Sequence, residues 1–316
     1  MADPIKNVPG RSEIVDIYAK TLARLNGVIA GEDFTKVAKA RAAAKIIEIN
    51  KHINHLRKQQ SAWAKVFIPE AYKNGALQDI PIIKKVRGNA ANVSYGTLHR
   101  SAATVAVEGA IQDFSVVADS LDRTYVGYVR RAQYQGNKQR IAEEIAGGIV
   151  EGASRQTTSV RILEELKRKA NKGLIVVGKV TMNANDYADM LARTLSRAAR
   201  TEGVLNTLNA NDVDLVIYND TGAVDFCVQY ENQIFSISGN SGKYPMLVER
   251  PPLHPNCTHS ISAFFEEFSS PAEIKRGTEY DKRDVGKTSA EMNKKYPITK
   301  DDTRTRTKKT QKAKAA

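Results

Sequence analysis

Apolar residues recur every three or four positions through the first two thirds of the chain, and this spacing predicts helices. Ile14, Ile17, Tyr18, Leu22, Leu25 and Ile29 mark one buried face. Pro9, Gly10 and a capping Ser12 open that helix, and Gly31 closes it. A second helix is expected from near Asp33 through Val37, Ala40, Ala44, Ile47, Ile53, Leu56 and Trp63, stopping before Pro69. Pro81 and Gly88 bound a connector. Residues 90–134 read as a third helix, with small residues Ala102, Ala103, Ala106 and Ala110 that would let a neighbour approach closely. Shorter amphipathic pieces are expected at 137–151 and 158–171, the latter opened by Thr158 or Ser159 and ended by Gly173.

The pattern then changes. Leu174–Val180 is short and β-branched, a strand candidate. Asn185 or Asp186 caps a helix whose inner side carries Tyr187, Met190, Leu191, Leu195, Ala198, Ala199 and Leu205. Three strands are expected at Asp214–Tyr218, Asp225–Tyr230 and Ile234–Ser238, with a turn at Asn219–Gly222. Apolar sequence resumes at Ile261, Phe264 and Phe265. The fold class is therefore α+β: a helical arm over 1–173, a small module over 174–268, and a charged, basic, flexible tail over 269–316.

Charge adds a partner to this picture. Lys and Arg outnumber Asp and Glu by 48 to 35, a net charge of +13, which favours an anionic partner, nucleic acid ahead of a membrane surface. Arg304, Arg306, Lys308, Lys309, Lys312 and Lys314 crowd the end of the tail with no acid among them. Such a tail contacts phosphates, or simply solubilises the chain. No apolar run reaches the length of a membrane span and the first residues do not form a signal peptide, so synthesis in a reducing cytoplasm is the expectation.

Candidate chemistry concentrates in Tyr244–Phe265. Prolines 251, 252 and 255 stiffen the backbone around His254, Cys257 and His259. The chain holds only two cysteines and five histidines, so three of those seven residues meet here. With Cys227 they make a Cys2His2 set suited to a structural zinc ion. Two other readings stay open: buried reduced thiols with histidines bonded to backbone carbonyls, or a disulfide. Glu48, His52 and His55 lack the HExxH spacing, and SGNSGK lacks that of a P-loop. His99 reads as structural. Cys257 beside two histidines could be a nucleophile only with an oriented base and an open pocket. Arg200, Glu202 and Glu249 could be assembled into a glycohydrolase or ADP-ribosyl-transfer site, although helix-surface ion pairs explain them equally well.

PPLHPNCTH (Pro251–His259) resembles the closing motif of the tailed-phage minor capsid, or Mu F-like head-morphogenesis, family, with Pro252 and Pro255 in its proline-rich element. The helix Leu191–Asn209 is similar to that family's Arg-Thr-Glu helix, with Arg200, Thr201, Glu202 and Asn206 in the marked places. The resemblance covers about 185–265. It departs in cysteine number, since many members carry more. It implies a virion protein of small copy number at the portal vertex, made in the host cytoplasm. The implied partners are portal, capsid or scaffold proteins and packaged double-stranded DNA, with no membrane before ejection. The implied roles are head assembly, DNA packaging, retention or ejection, without catalysis. The alternative is a virion-delivered enzyme such as an ADP-ribosyltransferase-like effector.

Overall fold

The computed structural model describes residues 10–92, 94–145, 163–223 and 225–278. The described residues form two compact units, one from 10–67, 107–145 and 163–192, the other from 68–106 and 193–278. The fold is α+β, with long helices first and the longer-range strand pairing last. Among the described residues no helix is long and apolar enough to cross a membrane. The tail cations Arg304 to Lys314 lie outside the described residues.

In the first of these units, α1 (Arg11–Ile29) buries Ile14, Tyr18, Leu22 and Leu25, as its spacing predicts. Trp63 Nε1 donates to the Gly10 carbonyl at 2.7 Å, and Trp63 and Phe114 meet edge to face. A hairpin of β1 (Leu174–Val177) and β2 (Val180–Asn183) joins this unit through Ser120, whose hydroxyl bonds both the Val176 carbonyl and its N–H. Leu174–Val180 is thus not one strand. Gly178 sits at φ 58° and turns the chain between Val177 and Val180, a conformation that costs glycine little.

Other helix boundaries also differ from expectation: the second helix starts at Lys39 rather than near Asp33, and the one expected over 90–134 starts at Thr97 rather than 90. α2 (Lys39–Gln78) runs through Pro69. The lost N–H bond is outweighed by burial of Ile68, Ala71, Tyr72 and Ala76 around it. The Pro81–Gly88 connector is itself helical, α3 (Ile80–Arg87), with the proline in the first turn, where a missing N–H breaks no bond. α4 runs unbroken over Thr97–Ile145, absorbing the start of the piece expected at 137–151. A helix at 163–171 (α5) matches the next expected piece; its predicted caps, Thr158 and Ser159, lie outside the described residues.

The second unit holds the module. α6 (Ala184–Asn209) sends Val204, Leu205 and Leu208 into a core shared with Ile83, Val216, Tyr218, Phe226, Phe235 and Ile261. The sheet has the order β4-β3-β5, from Ile234–Ser236, Leu215–Tyr218 and Ile261–Ala263, both pairings antiparallel. Central β3 places Val216 opposite Phe235 on one side and Ala263 on the other. A short helix α7 (Pro271–Thr278) follows. The strand expected over Asp225–Tyr230 is instead a 3₁₀ helix, Phe226–Tyr230. The Asp225 carboxylate accepts the Cys227 N–H at 3.0 Å, and that local bond starts a turn where the apolar pattern alone would suit a strand.

Candidate metal centre

Two segments leaving the sheet carry the Cys/His residues, and both are tied down locally. The first follows β3. Asn219 pairs with Ser260 twice, donating its N–H to the Ser260 carbonyl and accepting the Ser260 N–H on Oδ1. The chain then turns into the 3₁₀ helix, which buries Cys227 completely. The second segment precedes β5. Tyr218 donates its hydroxyl to the Glu249 carbonyl at 2.7 Å. Cys257 donates its N–H to the His254 carbonyl at 3.0 Å, closing a turn in which Asn256 takes φ 70°. Asparagine tolerates that left-handed conformation better than most side chains.

The result places the four sequence-predicted residues in two overlapping groups. The ligand atoms of Cys227, Cys257 and His259 lie within 4.8 Å of one another, and so do those of Asp225, Cys227 and His254. Cys227 belongs to both groups. His254 Nε2 is 3.1 Å from Cys227 Sγ, and His259 Nδ1 is 3.5 Å from Cys257 Sγ. Donors sharing a tetrahedral zinc ion, with bonds near 2.0–2.3 Å, stand roughly 3.3–3.8 Å apart. Both cysteines are free thiols.

The far side of each imidazole is also fixed. His254 Nδ1 lies 2.8 Å from the Pro255 carbonyl, so Nδ1 carries the proton and donates it. His259 Nε2 lies 3.0 Å from Glu231 Oε1 and 3.2 Å from the Thr221 hydroxyl. The same Glu231 oxygen accepts the backbone N–H groups of Thr221 and Ala223. Each histidine is therefore oriented by an acceptor on its outer nitrogen and presents its inner nitrogen to sulfur, the arrangement that outer carboxylates and carbonyls impose on metal-ligating histidines.

The electrostatics follow from the crowding. A hydrogen bond from Cys227 pulls the Cys257 thiol down to about 3, and the same bond, with burial, pushes Cys227 up. One proton serves two sulfurs. Burial works against a charged His254, but bonds to Asp225 and the nearby Cys257 overcome it and the pKa rises. His259 behaves likewise, with Cys257 and Glu231 opposing burial. Asp225 is held below the usual carboxylate range, because bonds from His254 and the Cys227 N–H outweigh its burial.

Soft sulfur and imidazole donors of this kind suit zinc rather than a hard cation. Cys257 is 1% exposed and His259 3%. A closed, buried donor set fits a structural ion, whereas a nucleophilic cysteine needs access for a substrate.

The other motif is arranged differently. Arg200 donates from Nη2 and Nε to Gln78 Oε1, at 2.8 and 3.2 Å. Gln78 in turn donates to the Ile261 carbonyl and Ser262 Oγ, both at 3.0 Å. Glu202 pairs with Arg250 at 3.2 Å, so Arg200 and Glu202 are not an ion pair with each other. Asn206 donates to the Tyr72 hydroxyl at 2.8 Å, and Tyr72 also bonds His99, which stacks on Tyr95. His99 is structural, as its isolation in sequence suggests. Pro252 follows a cis bond and is half-buried, while Pro255 is exposed.

Some important residues escape sequence reading. Asp225 and Glu231 orient the cluster, yet they resemble surface acids; only the Asp-x-Cys capping spacing hints at Asp225. Gly75 and Gly203 are more telling. A Cβ on Gly75 would lie 2.0 Å from the Arg200 carbonyl oxygen, and one on Gly203 would lie 2.2 Å from that of Tyr72. α2 and α6 therefore touch backbone to backbone, which only glycine permits.

The model of a family described as phage minor capsid protein 2 matches residues 48–312, spanning the long helices and the module alike. No curated protein and no solved structure matches.

Proposed function

The chain belongs to the phage minor capsid protein 2 family, and from that premise we propose a specific role for it at the portal vertex of the head. Family membership makes it a structural virion protein that associates with other phage head proteins. The finer reading is a Mu F-like head-morphogenesis protein that contacts portal, capsid or scaffold and packaged DNA, and acts in head assembly, packaging or ejection. The observation that carries this reading is the length of the family match, since it joins the helices, the HPNC element and most of the basic tail in one unit of descent. Arg304, Arg306, Lys308, Lys309 and Lys312 fall inside the matched span, and Lys314 just beyond it. Repeated cations suit non-specific contact with duplex phosphates.

The effector alternative gains no support from the module. Arg200, Glu202 and Asn206 each bind a different protein partner, and a catalytic constellation would converge instead. The test combines localisation with DNA contact. Quantitative mass spectrometry of purified virions and of DNA-free proheads should find the chain in both, cross-linked to portal. Replacing the six tail cations by alanine should flatten the salt dependence of duplex DNA binding by about 5 in log–log slope. Absence from both particles would overturn the head assignment, and an unchanged slope would overturn the DNA contact.

A further inference from the structure

We propose that Cys227, His254, Cys257 and His259 hold one zinc ion as a closed structural site, with Glu231 as the carboxylate that orients His259. The ion would pin the Pro251–Ser260 loop to the 3₁₀ helix. This goes beyond the head-protein reading and does not depend on it.

Four observations meet in this assignment. The donor set is two thiols and two imidazoles, with spacings of 3.1 Å between His254 and Cys227 and 3.5 Å between His259 and Cys257. Both outer nitrogens are occupied, His254 Nδ1 by the Pro255 carbonyl and His259 Nε2 by Glu231. That leaves His254 Nε2 and His259 Nδ1 as the ligating atoms. Cys227, Cys257 and His259 are buried and His254 is half-buried, so an ion there needs charge balance, and two thiolates neutralise a divalent cation without any further counter-charge. Finally, the two segments already meet beside the cluster, through Asn219–Ser260, the Tyr218 hydroxyl on the Glu249 carbonyl, the Thr258–Thr221 hydroxyl bond and the Phe226–His254 ring contact, so the donors are held near one another by the fold itself.

Asp225 is the competing fourth ligand, since its carboxylate lies 3.3 Å from His254 Nε2. Its other oxygen caps the 3₁₀ helix through the Cys227 N–H. Asp225 therefore serves as a positioning residue beside the ligand set, and His254, which reaches the set through Cys227 at 3.1 Å, would close in as the fourth ligand on metal binding.

The full-length chain purified without chelator is expected to carry about one zinc per molecule by elemental mass spectrometry. Cys257→Ser and His254→Ala should each lower that to roughly a tenth, while Asp225→Asn keeps it. A strong chelator should lower the Tm by roughly 5–10 °C, and zinc should restore it. Should the variants fail to fold, cobalt(II) loaded into the wild-type chain decides the matter. Intense visible bands of tetrahedral, thiolate-ligated cobalt support the site. Weak octahedral bands overturn it, as does a metal-free protein whose Tm ignores the chelator. Metal lost in Asp225→Asn but kept in His254→Ala overturns this ligand set. A metal-free result would leave the head-protein assignment standing, because that rests on the family match.

Discussion

The α2–α6 contact and the Cys/His corner belong to the same compact unit, and both were flagged by short polar motifs, but they use polar atoms in opposite ways. Along α6 the polar groups disperse: Arg200 goes to Gln78, Glu202 to Arg250 and Asn206 to Tyr72. Each finds its own protein partner, and the close approach they decorate is made by Gly75 and Gly203. At the corner they converge. Two sulfurs and the His259 ring nitrogen face one another and His254 joins them at Cys227, while the outer ring nitrogens are satisfied by Glu231, Thr221 and the Pro255 carbonyl. A motif whose polar atoms spread to separate partners is holding a fold together. One whose donors face inward, with their backs already bonded, has the arrangement a ligand set needs.

The comparison can be broken most severely at the glycines. Gly203→Ala forces a methyl group into the Tyr72 carbonyl, and neither backbone can move without parting the helices. A loss of about 3 kcal/mol or more is expected, read from the urea midpoint of unfolding. A stability unchanged within error would mean that α6 does not lie against α2 in this way.

The corner is next. Glu231→Ala strips the acceptor from Thr221 N–H, Ala223 N–H and His259 Nε2 together. It should cost about 2–3 kcal/mol. Glu231→Gln keeps an acceptor oxygen and should recover most of that stability while weakening zinc binding by roughly tenfold or more, measured by competition with a chromogenic chelator. That split between fold and metal is what separates an orienting carboxylate from a merely structural one.

A smaller effect is expected just before β3. Asp214 accepts bonds from Ser236 Oγ at 2.6 Å and the Ser238 N–H at 2.7 Å. These outweigh its burial and hold its carboxyl below the ordinary value. A depressed folded-state pKa means that the stability is present above the unfolded value, near 3.9, and is lost as pH falls through the folded one. Asp214→Asn should therefore cost roughly 1 kcal/mol at pH 7 after allowance for solvent screening. The difference in Tm between the two proteins should fade as the pH drops below about 4. The smallest effect belongs to Glu202→Gln. Its pair with Arg250 is about half exposed on both sides, so stability should stay within about 0.5 kcal/mol, and a loss of several would contradict the dispersed reading of that motif.

What could be read from the sequence divides along the same line. α1 was legible because Ile14, Tyr18, Leu22 and Leu25 repeat at the helical period and all are buried. The Cys/His corner was legible because cysteine and histidine are scarce in this chain and gather within a few positions. Phe226–Tyr230 was not, since its apolar pattern suits a strand and the deciding bond comes from the Asp225 side chain. Pro69 was misread as a stop because the burial that compensates it is tertiary. Gly75 and Gly203 carried no local signal at all. A glycine inside a helix reads as a weakness until the carbonyl it makes room for is known, and that carbonyl is more than a hundred residues away in the chain. Glu231 is hidden for a similar reason: acids are common, and its role depends on four donors brought to it by folding.

The convergence at the corner is best tested by X-ray absorption at the zinc edge on the full-length chain purified without chelator. The account predicts a first shell of two sulfurs at about 2.3 Å and two nitrogens at about 2.0–2.1 Å. A shell of oxygen and nitrogen only, or no bound zinc, would contradict it.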